Sequence, residues 1–277
     1  MTMIRTKIAL SVAAIGLVAS GYALALPEGV DTVEVEAESE DHPLGEIFSG
    51  WYFRTPETQA LQEDDFDNPG FLWVEQGAEL WETVDGSEGK FCASCHGDAA
   101  ESMATAGATM PKWNAALGKP VNLEQQINLC RSERMGAEPW KWESSELLSM
   151  TAFVRNQSRG KPVDVQIDGP MKPWFEKGEE LYNTRVGQLD MACTSCHQNY
   201  YGQSIRADRL SQGQANGFPT YRLKWQKIGS LHRRFKGCMS QVRAEPYKVG
   251  SDEFLALELY VNWRGQGLPV EAPAVRQ

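Results

Sequence analysis

The sequence predicts a mostly α-helical protein built from two tandem copies of one small domain, preceded by an extended N-terminal arm. Three observations carry this. CASCHG at residues 92–97 returns as CTSCHQ at 193–198. The flanking segments return in the same order: GAELWET (77–83) as GEELYNT (178–184), AEPW (137–140) as AEPY (244–247), and SSELLSMTAFVRNQSRGKPV (144–163) as SDEFLALELYVNWRGQGLPV (251–270). Strand-like alternation is scarce, whereas helical spacing opens and closes each copy. The offset between copies is 101 residues up to the repeated motif and 107 to 108 beyond it, so the second copy carries several extra residues.

The chain opens on MTMIRTKIALSVAAIGLVASGYALA, with a basic start (Arg5, Lys7), an apolar run from Ile8 to Val18 and a small-residue end at Ala23-Leu24-Ala25. This is the layout of a signal peptide over residues 1–25, cleaved after Ala25. An uncleaved anchor is the alternative, but the run is short for a span. No later stretch approaches that length, so the mature protein is expected in the periplasm with no membrane span. Removing the segment leaves 25 basic against 37 acidic residues, a net charge of −12. That balance disfavours nucleic acid and anionic membranes as partners.

Residues 26–50 form the acidic arm. The first domain is read over 51–164. It opens on an amphipathic helix in which Val74, Ala78, Leu80 and Trp81 alternate with Leu72, Glu75, Gln76, Glu79 and Glu82, and it closes on a second helix at about 146–156. The second domain, 165–266, repeats this with helices near 174–184 and 253–263. QSRGKPVDVQIDGPMKP (157–173), rich in Gly and Pro, reads as the linker. Residues 267–277 read as a loosely ordered tail.

The repeated motif is Cys-x-x-Cys-His. Two thiols one helical turn apart suit covalent attachment to the vinyl groups of a porphyrin, with the next residue presenting its imidazole to the iron. A thioredoxin-type pair expects a βαβ setting that this chain lacks. A zinc site needs two more ligands close by. The motifs therefore predict two covalently bound haem c groups, attached through Cys92 and Cys95 and through Cys193 and Cys196. His96 and His197 are the expected axial ligands, and each copy is expected to be a class I cytochrome c-like domain.

The sixth ligand decides the chemistry. Met103, Met110, Met135 and Met150 are available in the first copy, Met239 and His232 in the second, and none has a like residue at the matching place. Cys130 and Cys238 do match, so thiolate ligation is expected at both irons. The alternative is a disulfide between them, favoured by an oxidising compartment, though their equivalent places in separate copies speak against it. Their surroundings differ: EQQINLCRSE around Cys130, LHRRFKGCMS around Cys238. Gln126 stands four residues before the first cysteine and Arg234 four before the second. His232, Arg233 and Lys236 complete a basic cluster, which would keep a thiolate available and offer paired donors to an oxyanion.

Together these residues resemble the SoxA family, dihaem subunits of the SoxAX cytochromes of bacterial thiosulfate oxidation. The resemblance covers nearly the whole mature chain. It rests on the paired CASCH and CTSCH, on the matched Cys130 and Cys238, and on RRFKGCMSQVRAEPY (233–247). It implies an L-cysteine S-thiosulfotransferase that joins thiosulfate to a cysteine of a SoxYZ-like carrier while two electrons leave through haem. A SoxX-like monohaem cytochrome would be the partner subunit and a soluble cytochrome the electron acceptor. Cys238 would be the catalytic sulfur, found in the family as a persulfide, and Arg234 would bind the substrate. Arg243 is a second candidate for that pocket, the alternative being a salt bridge to Glu245. A plain dihaem electron carrier explains the motifs but not the matched cysteines or the one-sided basic cluster. A dihaem peroxidase needs an open distal site, which two cysteine ligands would close.

Overall fold

The computed structural model describes residues 33–277. The signal peptide, its cleavage point and the first residues of the arm lie outside the described residues. Strands β1 (Glu34–Glu36) and β2 (Glu46–Phe48) pair antiparallel. The hairpin docks on the second copy: Leu44 and Ile47 pack with Leu268, and the His42 ring lies 4.7 Å from that of Trp263. The Gln212 side chain accepts from the Phe48 N–H at 2.7 Å and donates to the Glu46 carbonyl at 2.9 Å. A 3-10 turn (Gly50–Phe53) leads into α1 (Pro56–Glu63), where proline suits the first helical position.

The first copy follows as α2 (Phe71–Trp81), α3 (Cys92–His96) and α4 (Ala99–Ser102), the hairpin β3 (Lys112–Asn114) and β4 (Lys119–Val121), α5 (Leu123–Cys130) running into a π turn, and α6 (Ser145–Asn156). The second copy follows as α7 (Lys172–Asn183), α8 (Cys193–His197), β5 (Ser204–Ile205), β6 (Asp208–Arg209), β7 (Thr220–Arg222), β8 (Lys227–Gly229), α9 (Leu231–Gln241) and α10 (Asp252–Arg264). The β5–β6 hairpin lies within the insertion that shifts the offset. Even the caps are duplicated. Ser144 and Ser251 accept from the N–H groups of Leu147 and Phe254, and Asn122 and Ser230 accept from those of Gln125 and Arg233. Each copy is built on one helix crossing, α2 on α6 and α7 on α10.

The copies grip one another through their hairpins. Tyr221 on β7 meets Trp73 on α2 at 5.9 Å, and Ile228 on β8 joins Val74, Leu148 and Ala152. Trp113 on β3 reciprocally joins the cluster containing Leu259 and Trp174. A buried polar knot fills the centre. Glu258 on α10 accepts from Asn122 Nδ2 and contacts His232 Nε2, both at 2.9 Å, with Glu124 in its field. Burial, then the Glu258 charge, raise the Glu124 carboxyl to about 7 against the opposing pull of His232. A folded-state pKa raised above the unfolded 4.5 favours folding at low pH, and that contribution is lost as pH rises through about 7. Glu124→Gln should therefore flatten a decline in stability that runs between about pH 4.5 and pH 7. Thermal melts across that range check it; equal slopes for both proteins would refute it.

Residues 267–277 correct the sequence reading of a loose tail. Leu268, Val270, Ala272 and Ala274 are fully buried, and β9 (Ala274–Arg276) adds to β7 as a parallel edge strand. The Val275 N–H donates to Gln62 Oε1 of α1 at 3.0 Å, and Asn68 Nδ2 donates to the Pro273 carbonyl at 2.9 Å. The linker is packed as well, with Val163 and Val165 buried and the Val163 N–H donating to the Leu268 carbonyl at 2.8 Å. Among the described residues no helix is long and apolar enough to cross a membrane.

Candidate active site and haem centres

Both Cys-x-x-Cys-His motifs fold as single helical turns. Ser94 and Ser195, inside them, accept from the N–H groups of Phe91 and Ala192 at 3.2 and 3.1 Å, which starts each turn at its first cysteine. The two thiols of a motif thus stand one turn apart on one face. Around Cys92 lie Trp81, Leu123, Ile127, Met150 and Val154; around Cys193 lie Tyr182, Leu231, Phe254, Leu257 and Val261. Of the methionines weighed as ligands, Met150, Met103 and Met110 pack in the first of these clusters and Met239 in the second. Burial pushes the Cys92 thiol up to about 11 and the Cys193 thiol up to about 12.

His197 is fixed in place. Its Nδ1 lies 2.8 Å from the Ser211 carbonyl, an acceptor only, so Nδ1 carries a proton and Nε2 is the ring nitrogen left for another partner. Gly213 packs against the imidazole, where a Cβ would come within 2.8 Å of the ring. From α9 the Cys238 sulfur faces the same imidazole. Burial opposes its ionisation, but Arg234, then His197, then Arg222 outweigh burial and hold the thiol down to about 6. Tyr182 Oη and Arg264 Nη2 are buried nearby without hydrogen-bond partners among the described residues. Arg264 stacks over the Tyr182 ring at 4.5 Å. An apolar pocket with a His–Cys axis and orphaned polar atoms fits a haem and its charged edge.

The first centre has the same frame without the charge. Cys130 ends α5, and the Gln126 amide lies 3.4 Å from its sulfur, where the second copy has Arg234. The nearby Arg131 is spent elsewhere, on Asp85 at 2.7 Å, on the Glu138 carbonyl and over the Trp140 ring at 3.7 Å. All six cysteines are unbridged, so the structure contains no Cys130–Cys238 disulfide.

The basic cluster read around Cys238 divides. His232 is buried, stacked on Trp142 at 5.0 Å and turned to Glu258, so it belongs to the polar knot and not to the anion pocket. Arg233 pairs with Glu143 at 3.7 Å and covers Trp225. Arg234 alone of the three adjoins the sulfur. Arg243 is exposed, reaches Gln188 at 3.5 Å and walls an open cavity of about 440 Å³ with Val186, Met239 and Tyr247. It makes no ion pair with Glu245 among the described residues. Arg222 on β7 was not singled out from the sequence. Its signal was the 108-residue offset, which sets Arg222 against Asn114 and Lys224 against Ala116, so the cationic changes in the second copy extend beyond α9.

Crossed helices around paired Cys-x-x-Cys-His turns are those of two tandem cytochrome c-like domains. The family model described as the SoxA/TsdA cytochrome c domain matches twice, over residues 76–163 and 177–270. The L-cysteine S-thiosulfotransferase subunit SoxA of Pseudaminobacter salicylatoxidans is 52% identical over 93% of this chain and 94% of its own length. That of Paracoccus pantotrophus is 45% identical over 98% of both. The crystal structure of SoxXA from P. pantotrophus superposes with a TM-score of 0.82 at 48% identity, covering 85% of this chain and 89% of the other. The chain belongs to the SoxA family.

Proposed function

We propose that this chain is the catalytic subunit of a periplasmic L-cysteine S-thiosulfotransferase, working with a SoxX-like monohaem cytochrome. It would join thiosulfate to a cysteine of a SoxYZ-like carrier. The observation that carries this reading is the Cys238 sulfur beside Arg234, kept ionisable in an otherwise acidic protein. Cys92, Cys95, Cys193 and Cys196 would hold the two haems by thioether links, with His96 and Cys130 at one iron and His197 and Cys238 at the other, and the haems when bound would supply the outlet for electrons. Arg234 holds the sulfonate end of thiosulfate by charge-assisted hydrogen bonds and turns its outer sulfur to Cys238. Thiolate and thiosulfate form an S–S bond, giving a Cys238–S–S–SO₃⁻ adduct and releasing two electrons. The carrier thiolate then attacks the sulfur bonded to SO₃⁻, taking the S–SO₃⁻ group and returning Cys238 as thiolate.

The test supplies the holoprotein and its partner with thiosulfate, a reduced carrier and an acceptor cytochrome. The expected result is a carrier heavier by one thiosulfate, with two acceptor molecules reduced per carrier. Acceptor reduction with an unmodified carrier would leave the chain a plain electron carrier. Low-temperature EPR of the oxidised protein tests the ligand sets. Low-spin thiolate signals at both irons are expected, and His/Met or His/His signals would overturn Cys130 and Cys238 as ligands.

A further inference from the structure

We infer that Arg222 is a second anion-binding residue of the Cys238 site and closes, with Arg234, a two-guanidinium clamp on the sulfonate end of thiosulfate. The inference rests on the substrate reading above and adds a residue to it. Arg222 lies on β7, with a side chain only 6% exposed. Three neighbours lock it. Its Nε donates to the Gln277 carbonyl at 2.6 Å, its Nη2 faces Asp208 at 3.7 Å, and its guanidinium lies 5.1 Å from the Trp225 ring centroid. Its Nη1 is buried with no acceptor among the described residues. A buried, oriented donor is costly to leave unmade, and an incoming oxyanion would satisfy it.

Charge points the same way. Asp208 is shared between Arg222 and Arg54, and it is the one carboxylate ion-paired to this group among the described residues. Arg54, Arg222, Arg234 and Lys224 outnumber Asp208 and the ionised Cys238, so the site stays net positive towards an anion. Arg222 and Arg234 also lie in one another's field, an arrangement that an anion between them relieves. The duplication supplies the internal control. In the first copy Asn114 stands where Arg222 stands, and its side chain accepts from the N–H groups of Ala116 and Leu117 in the β3–β4 turn. Gln126 stands where Arg234 stands. The two arginines therefore occur together, in the copy that carries Cys238, and neither position is cationic in the other.

The experiment compares the wild-type holo complex with Arg222→Gln and Arg222→Lys. Equilibrium dialysis with radiolabelled thiosulfate gives Kd without turnover, and carrier loading gives KM and kcat. Arg222→Gln should raise Kd and KM for thiosulfate about 10- to 100-fold, with kcat held within about threefold. Haem content and visible spectrum should stay wild type, and Arg222→Lys should recover part of the affinity. Wild-type Kd in Arg222→Gln would overturn the clamp. So would a changed spectrum or haem loss in both variants, which would give Arg222 to the haem, and so would a KM rise for the carrier alone. If the wild type binds thiosulfate, Arg222→Gln does not, and neither loads carrier, the clamp stands and the transferase reading falls.

Discussion

Cys238→Ala should abolish carrier loading, by at least about a thousandfold, while both haems remain attached and the melting temperature changes little. The size follows from the proposed chemistry, in which the sulfur that forms the S–S bond with thiosulfate has no substitute within the pocket. In that mechanism Arg234 supplies charge-assisted hydrogen bonds but no sulfur, and Cys193 and Cys196 would be taken up in thioethers. The fold should tolerate the change because Cys238 is half-buried on α9, where alanine is a strong helix former. Cys130→Ala should cost far less, within about tenfold, because its neighbour is the neutral Gln126 and Arg131 is already paired with Asp85. Carrier mass and haem content measured on the same samples check both. A Cys238→Ala protein that loads carrier at the wild-type rate would sink the mechanism. A fully haem-loaded but inactive Cys130→Ala would sink the division of labour.

The helix crossings and the paired cysteines were legible because duplication leaves a trace that one sequence can show against itself. A residue type kept at the same place in both copies, such as Ser144 and Ser251 at the caps, marks a shared frame. A residue changed in one copy, such as Gln126 to Arg234, marks a division of roles. What the sequence hid is directional. His232, Arg233 and Arg234 are consecutive, yet each step along a helix turns by about 100°. The three therefore face the interdomain knot, Trp225 and Cys238 in turn. No linear reading of a basic cluster separates them. The tail was hidden by Pro269 and Pro273, which read as disorder. Both precede the short strand β9, and the whole run from Leu268 to Val275 is buried on both faces, against the linker, α1 and β7, which no local pattern shows. Arg222 needs both lessons, since its partners lie 14, 3 and 55 residues away, at Asp208, Trp225 and Gln277.

Gly178→Ala should unfold the second copy or cost at least about 3 kcal/mol, although alanine is the better helix former by about 1 kcal/mol. A Cβ at Gly178 would stand 2.1 Å from the Ala256 carbonyl oxygen and 2.8 Å from Tyr260 Cβ. The first obstacle is backbone of the crossing helix, so no rotamer change relieves it, and α7 must move off α10. Gly77→Ala meets the same geometry in the first copy, 2.3 Å from the Ser149 oxygen and 2.5 Å from Phe153 Cβ. Gly237→Ala on α9 is the control. Its Cβ would meet nothing within 4 Å, so propensity alone acts and the variant should gain up to about 1 kcal/mol. Denaturant melts of the three variants should therefore split in sign, and a common sign would show that close helix approach does not govern these crossings. The consequence reaches the chemistry because Tyr182 on α7 and Tyr260 on α10 meet at 5.2 Å across the crossing and share one apolar cluster with Cys193. A separation large enough to admit one methyl group at Gly178 opens the pocket that must close around the second haem. Gly178→Ala should accordingly lose the native low-spin spectrum at that centre with its haem still covalently bound, while the first centre, resting on its own crossing, keeps its own.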